Sequence, residues 1–203
     1  MMLTRTLKRL ANRFKNRDSD LKGLFEPYAG SEIVSLDCEM TGLDTKNDHI
    51  VSIAAVKIDG NKIKTGDAFE AMIDHGEWLS EDAIRVHRIR KVDLNDGVPI
   101  ETAVMAMIEF IGNRPILGYN IRFDFKFLDR YTRPLLGFSL PNQMIEFAEV
   151  YRKSVVAKRP DTVPHLGFEE IIDDLGIPTF GRHTALGDAT TVATAYVKLK
   201  RGR

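Results

Sequence analysis

From Ile33 onward, the chain falls into short β-rich runs. These are Ile33–Asp37, Ile50–Ile58 and a third run around Lys62–Ile73, with Asp59-Gly60-Asn61 as a tight turn between the second and third. Links this short predict three antiparallel strands. The pattern then turns helical: Glu81–Arg88 reads as a short helix that Ser80 is placed to cap, and Pro99–Ile111 as a longer amphipathic helix with proline in its first turn. Pro115–Tyr119 reads as a short buried strand and Phe123–Leu136 as a helix. Further helices are predicted near Asn142–Arg152, Phe168–Leu175 and Thr184–Leu199, with Arg159–Pro164 as a loop. Strands first, then helices alternating with strands, predict an α/β fold: a mixed central sheet flanked by helices.

Before these elements, residues 3–14 place Leu3, Leu7, Leu10 and Phe14 on one stripe of a helix otherwise covered by Arg and Lys. A basic amphipathic helix of this kind packs on its own domain, docks to a partner protein, or meets nucleic acid or a membrane surface. It divides the chain into an N-terminal extension, 1–30, and a main domain, 31–203. The formal net charge of zero hides an asymmetry. Residues 1–22 hold seven basic side chains against Asp18 and Asp20, which leaves 22 basic and 27 acidic residues beyond them, a body of about −5. A protein held on nucleic acid mainly by neutralising phosphates would be basic overall. Any nucleic acid must here be held locally, by a few basic groups and by bound cations.

At 203 residues and 43% hydrophobic content the chain suits one compact domain with a full-sized core. No apolar run approaches the roughly 18 residues of a membrane span, and charges stand where a secretory signal would be apolar, so a cytoplasmic protein is expected. A single cysteine, Cys38, excludes an intramolecular disulfide and a multi-thiolate zinc site. Any metal must bind through oxygen or imidazole.

Three segments carry candidate chemistry. In Ser35-Leu36-Asp37-Cys38-Glu39-Met40-Thr41-Gly42, two carboxylates stand two positions apart on a strand, so Asp37 and Glu39 share a face and Cys38 points the other way. Side by side they repel unless a cation or shared proton compensates, and hard oxygen ligands suit Mg²⁺ or Mn²⁺; the alternative is two solvated acids beyond the strand end. In Gly118-Tyr119-Asn120-Ile121-Arg122-Phe123-Asp124, a strand ends and a helix opens with an acid, which could equally be a cap favoured by the helix dipole. In His183-Thr184-Ala185-Leu186-Gly187-Asp188, five residues on one helix would separate the end side chains by about 140°. His183 is therefore expected on the approach loop with Asp188 one turn inside; the alternative is a surface or capping histidine.

Taken together and in this order, the three segments resemble the DEDDh-type 3′–5′ exonucleases, the family of the proofreading epsilon subunit of bacterial replicative DNA polymerase, ribonuclease T and oligoribonuclease. The resemblance spans Glu32–Leu199 and includes the stretch from Leu79 to His87. It implies a ribonuclease-H-like sheet of three antiparallel strands followed by parallel ones. It also implies two divalent cations, Mg²⁺ or Mn²⁺, on Asp37, Glu39, Asp124 and Asp188, with His183 taking a proton from the attacking water. Met40, Thr41, Gly42, Asn120 and Phe123 would receive the 3′-terminal nucleotide, single-stranded DNA would be the substrate, and nucleoside 5′-monophosphates the products. The chain departs from many relatives in having Gly118-Tyr119-Asn120 where they have Gly-His-Asn, Met40 after Glu39, and no Asp-Thr within Asn142–Arg152. These differences bear on substrate preference, because none falls on an implied metal ligand. An exoribonuclease, or a catalytically silent scaffold for nucleic acid or a polymerase, are the competing expectations. A polymerase or other protein could dock on the N-terminal helix.

Overall fold

A computed structural model of the protein describes residues 20–74, 76 and 81–201. The amphipathic helix expected over residues 3–14 and the Ser80 cap lie outside the described residues. The described chain runs β1 (Ile33–Met40), β2 (Ile50–Asp59), β3 (Lys62–Ile63), β4 (Phe69–Met72), α1 (Glu81–His87), α2 (Ile100–Ile111), β5 (Ile116–Gly118), α3 (Ile121–Leu136), β6 (Met144–Glu146), α4 (Phe147–Lys158), α5 (Phe168–Leu175) and α6 (Ala185–Arg201).

These strands form one mixed sheet in the order β3-β2-β1-β5-β6, with β4 also paired to β2. β1 and β2 are antiparallel, as are β3 and β4 against β2, whereas β5 and β6 run parallel to β1 and to each other. The expected α/β class and the change from antiparallel to parallel pairing are both present. The third run is not one strand: a 3-10 turn at Thr65–Asp67 splits it, so Ile63 lies opposite Ile58 while Phe69 restarts the ladder opposite Ala55. Nor does the helix expected near Asn142–Arg152 begin there, because Met144–Glu146 pairs with β5 and the helix starts at Phe147. Three residues are too few to show a period of two, and the backbone partner that makes them a strand lies far off in sequence.

The sheet separates two cores. On one side Val34, Leu36, Cys38, Ile53 and Ile116 pack beneath α2 and α3 through Val104, Met107, Ile108, Phe125 and Leu128. On the other, Val56, Ile58 and Leu117 meet α4, α5 and α6 through Phe147, Ile171, Ile172, Val192 and Tyr196. Leu24 and Phe25, in a 3-10 turn at Asp20–Phe25, are buried in the first core, with Phe25 edge-on to Phe138 at 4.7 Å between ring centroids. The apolar stripe of α6 is built largely from alanine and valine, which lets this helix lie close over β1 and β2. No described helix is long and apolar enough to cross a membrane.

Candidate active site

Alternation along β1 sends Leu36 and Cys38 into the first core and turns Ser35, Asp37 and Glu39 toward α6. Across the ladder Asp37 lies opposite Ala54 and Glu39 opposite Ser52, small side chains that leave room above the carboxylates. β1 pairs with β5 only through Val34 and Ser35, and α3 begins where that ladder stops. Asp124 occupies the gap: its Oδ1 accepts the Cys38 N–H at 3.1 Å, a main-chain donor that β5 no longer satisfies. Asp124 is therefore in the fourth position of a helix that opens at Ile121, two residues earlier than its sequence suggests, and does not cap that helix. Gly118 makes the turn feasible, since a Cβ there would sit 2.7 Å from the Ile121 Cδ1 and 2.9 Å from the Leu36 carbonyl oxygen.

The third segment meets the first at the start of α6. Thr184 caps the helix, accepting the Gly187 N–H at 3.1 Å while donating to the Gly181 carbonyl at 2.8 Å. The preceding loop presses on the helix so closely that a Cβ on Gly187 would stand 2.0 Å from the Phe180 carbonyl oxygen. His183 lies on the approach loop with φ +62, in the left-handed region, and its N–H donates to Asp188 Oδ2 at 3.3 Å. Asn120, before α3, repeats the device: φ is +53 and its N–H donates to Glu146 Oε1 at 2.8 Å.

Asp37, Glu39 and Asp188 each bring a carboxylate oxygen into a group whose atoms all lie within 4.8 Å of one another. Asp124 is not in that group, but its charge is felt by Asp37. Burial raises the Asp37 carboxyl well above its ordinary range, and the neighbouring charges of Asp124, Glu39 and Asp188 add to this. Burial likewise pushes Glu39 up to about 7, with Asp188 contributing, and Asp124 up to about 8 against the opposing hydrogen bonds from its own N–H and that of Cys38. Asp188 is raised by burial and held back by Arg182, whose Nη1 donates to Asp188 Oδ2 at 2.5 Å. The other oxygen, Asp188 Oδ1, is buried without a hydrogen-bond partner. Clustered hard oxygen donors, mutual repulsion and an orphaned carboxylate oxygen fit a divalent cation.

The residues expected to receive a nucleotide lie at the end of β1, in the loop that follows it and at the start of α3. Thr41 Oγ1 donates to Asp48 Oδ1 and accepts the His49 N–H, both at 3.0 Å, so the loop after β1 is closed on itself. Gly42 lies under the same Asp48 carboxylate, where a Cβ would be 2.4 Å from Oδ2. Met40 and Phe123 are partly buried against the first core, Phe123 packing on Phe127 with 5.2 Å between ring centroids. Arg182 and Glu146 carry no sequence signal that separates them from surface charges, and His87 enters the sequence reading only as the last residue of the Leu79–His87 stretch. His87 is 3% exposed, accepts the Ile89 N–H on Nδ1 at 3.0 Å, and leaves Nε2 unpartnered. Burial lowers its pKa, and proximity to His183 lowers it further.

Known proteins share both the sequence pattern and this architecture. The chain is 27% identical over 185 residues to the DNA polymerase III subunit epsilon of Aquifex aeolicus, covering 91% of this chain and 84% of that protein. It is 30% identical over 173 residues to the subunit epsilon of Rickettsia felis, covering 84% and 74% respectively. The fold superposes on E. coli exonuclease I, solved with a dT13 oligonucleotide, with a TM-score of 0.70 at 19% identity; the match covers 85% of this chain and 41% of that one, so less than half of exonuclease I has a counterpart here. The model of the exonuclease family (RNase_T) matches residues 34–196, and with most of its length so matched the chain belongs to that family, among the DEDDh-type 3′–5′ exonucleases.

Proposed function

We propose that this chain is a metal-dependent 3′–5′ exonuclease that shortens single-stranded DNA from a free 3′ end and releases nucleoside 5′-monophosphates. The observation that carries the proposal is the convergence of Asp37, Glu39 and Asp188, with carboxylate oxygens within 4.8 Å of one another, together with a buried Asp188 oxygen that has no hydrogen-bond partner. Asp37, Glu39 and Asp188 would hold two divalent cations, with Asp124 in support; when bound, such ions neutralise charge on the phosphoryl oxygens and lower the pKa of water. His183 is the general base that removes the proton from the attacking water, a contribution of about 10²–10⁴-fold. Its place on a short loop tied to Asp188 keeps the imidazole beside the acids while leaving it outside the helix. Met40, Thr41, Gly42, Asn120 and Phe123 form the receiving surface for the terminal nucleotide, and the closed loop around Asp48 holds Thr41 and Gly42 in place.

The dT13 oligonucleotide bound by E. coli exonuclease I favours DNA as the substrate. The names of the epsilon relatives favour a polymerase as partner, and the basic segment 1–19, within the 1–30 extension, is the candidate docking element. Hydrolysis of a 5′-labelled single-stranded DNA and of RNA of the same sequence, with Mn²⁺ or Mg²⁺ and with EDTA, tests the proposal. A metal-dependent ladder shortening from the 3′ end, faster on DNA, is expected. Faster decay of RNA would make the protein an exoribonuclease, and cleavage of neither would make it a silent scaffold.

A further inference from the structure

Asp188 commits its two carboxylate oxygens differently. Oδ2 accepts from Arg182 Nη1 at 2.5 Å and from the His183 N–H at 3.3 Å, whereas Oδ1 is buried and unpartnered. Arg182 is itself fixed from the far side. Its Nε donates to Glu169 Oε1 at 2.7 Å, and its guanidinium lies over the Phe168 ring, 4.3 Å from the centroid. Phe168 and Glu169 open α5, which is anchored by the fully buried Ile171 and Ile172. A chain of contacts thus runs from the second core, through one planar cation, to a single oxygen of the acidic cluster.

We propose that Arg182 is a positioning residue that pins Asp188 and the His183 loop in the arrangement a divalent cation requires, with Glu169 and Phe168 acting through it. This rests on the function proposed above. A carboxylate with one oxygen clamped does not rotate, so Oδ1 is presented without loss of side-chain freedom when a cation arrives. Only a guanidinium has the geometry to bridge two separate carboxylates while stacking on a ring; an ammonium is a point charge without that fork. Glu169, with a side chain 57% exposed, has no direct bond to the cluster and serves to orient Arg182.

A competing effect has the opposite sign, because a fixed positive charge beside the site repels an incoming cation. Calorimetric titration of Mn²⁺ into the full chain without nucleic acid decides between them. Arg182→Gln should weaken Mn²⁺ binding about 10–100-fold, the usual loss when an outer partner of a metal ligand is removed. Arg182→Lys should recover part of that loss, and Glu169→Gln should show a smaller loss of its own. Adding Glu169→Gln to Arg182→Gln should weaken binding no further, since Glu169 acts through the arginine. Unchanged or tighter Mn²⁺ binding by a folded Arg182→Gln chain overturns the proposal, and so does full additivity of the two losses. Should circular dichroism find Arg182→Gln unfolded, Glu169→Gln carries the test, and unchanged binding there overturns it. Failure of the exonuclease reading would show separately, as a wild-type chain that binds Mn²⁺ and leaves 3′ ends intact.

Discussion

The acidic cluster makes the stability of the metal-free protein depend on pH in an unusual direction, and Glu39→Gln isolates the effect. Glu39 titrates at about 7 in the fold against 4.5 for an ordinary glutamate, because burial and Asp188 disfavour its charge. The folded state then binds more protons than the unfolded chain between those values, so the stability contributed by the neutral acid is complete below pH 4.5 and is lost as pH rises toward 7. A shift from 4.5 to about 7 corresponds to roughly 3 kcal/mol if fully expressed, and solvent screening at a partly open carboxylate reduces this to roughly 1–2 kcal/mol. For a domain of this size, that is a change in Tm of roughly 2–8 °C. Replacing Glu39 by Gln removes the titration. In EDTA the two proteins should melt together near pH 4.5, and the variant should melt higher by that amount at pH 8. His87, whose pKa is lowered, contributes with the opposite sign, but equally in both proteins, so it cancels in the comparison. Saturating Mn²⁺ should raise the wild-type Tm most at the higher pH, where the carboxylates are ionised. Parallel Tm-against-pH curves for the two proteins in EDTA would refute the argument.

Asp37→Asn and Asp188→Asn should abolish nuclease activity without loss of fold, since each removes a charge from a repelling group; activity measured beside circular dichroism checks both. His183→Ala should lower kcat about 10²–10⁴-fold while calorimetric Mn²⁺ affinity stays within a few-fold, because the imidazole is assigned to the proton and not to the metal. Removing residues 1–19 should leave the nuclease rate unchanged, because the acidic cluster lies beyond them. Starting the chain at Gly30 instead deletes the buried Leu24 and Phe25, a loss of about 3–5 kcal/mol visible as a much lower Tm.

Much of the fold follows from patterns that are local in sequence. β1 alternates regularly enough to announce its faces, the short links of the first strands announce antiparallel pairing, and α5 occupies the very span its apolar period marks. The misplacements are non-local. β6 exists because Ile116, Leu117 and Gly118 offer it a parallel partner, and the split of the third strand depends on how Thr65-Gly66-Asp67 turns against β2. At the site, the spacing of Asp37 and Glu39 and the offset of His183 from Asp188 are readable because strand and helix geometry convert spacing into direction. Asp124 is legible as an acid at a helix start, but its bond to the Cys38 N–H depends on where the β1–β5 ladder ends. Arg182 is readable only as a charge beside a histidine, since its role comes from Glu169 and Phe168 on another helix.

The central claim is that Asp37, Glu39, Asp124 and Asp188 form one cation centre, and anomalous diffraction from a crystal soaked in Mn²⁺ with a nucleoside 5′-monophosphate tests it most directly. Two anomalous peaks are expected inside the cluster, one contacting Asp37, Glu39 and Asp188 and the other shared by Asp37 and the monophosphate with Asp124 beside it. A crystal that binds Mn²⁺ elsewhere, with these four carboxylates unliganded, would contradict it.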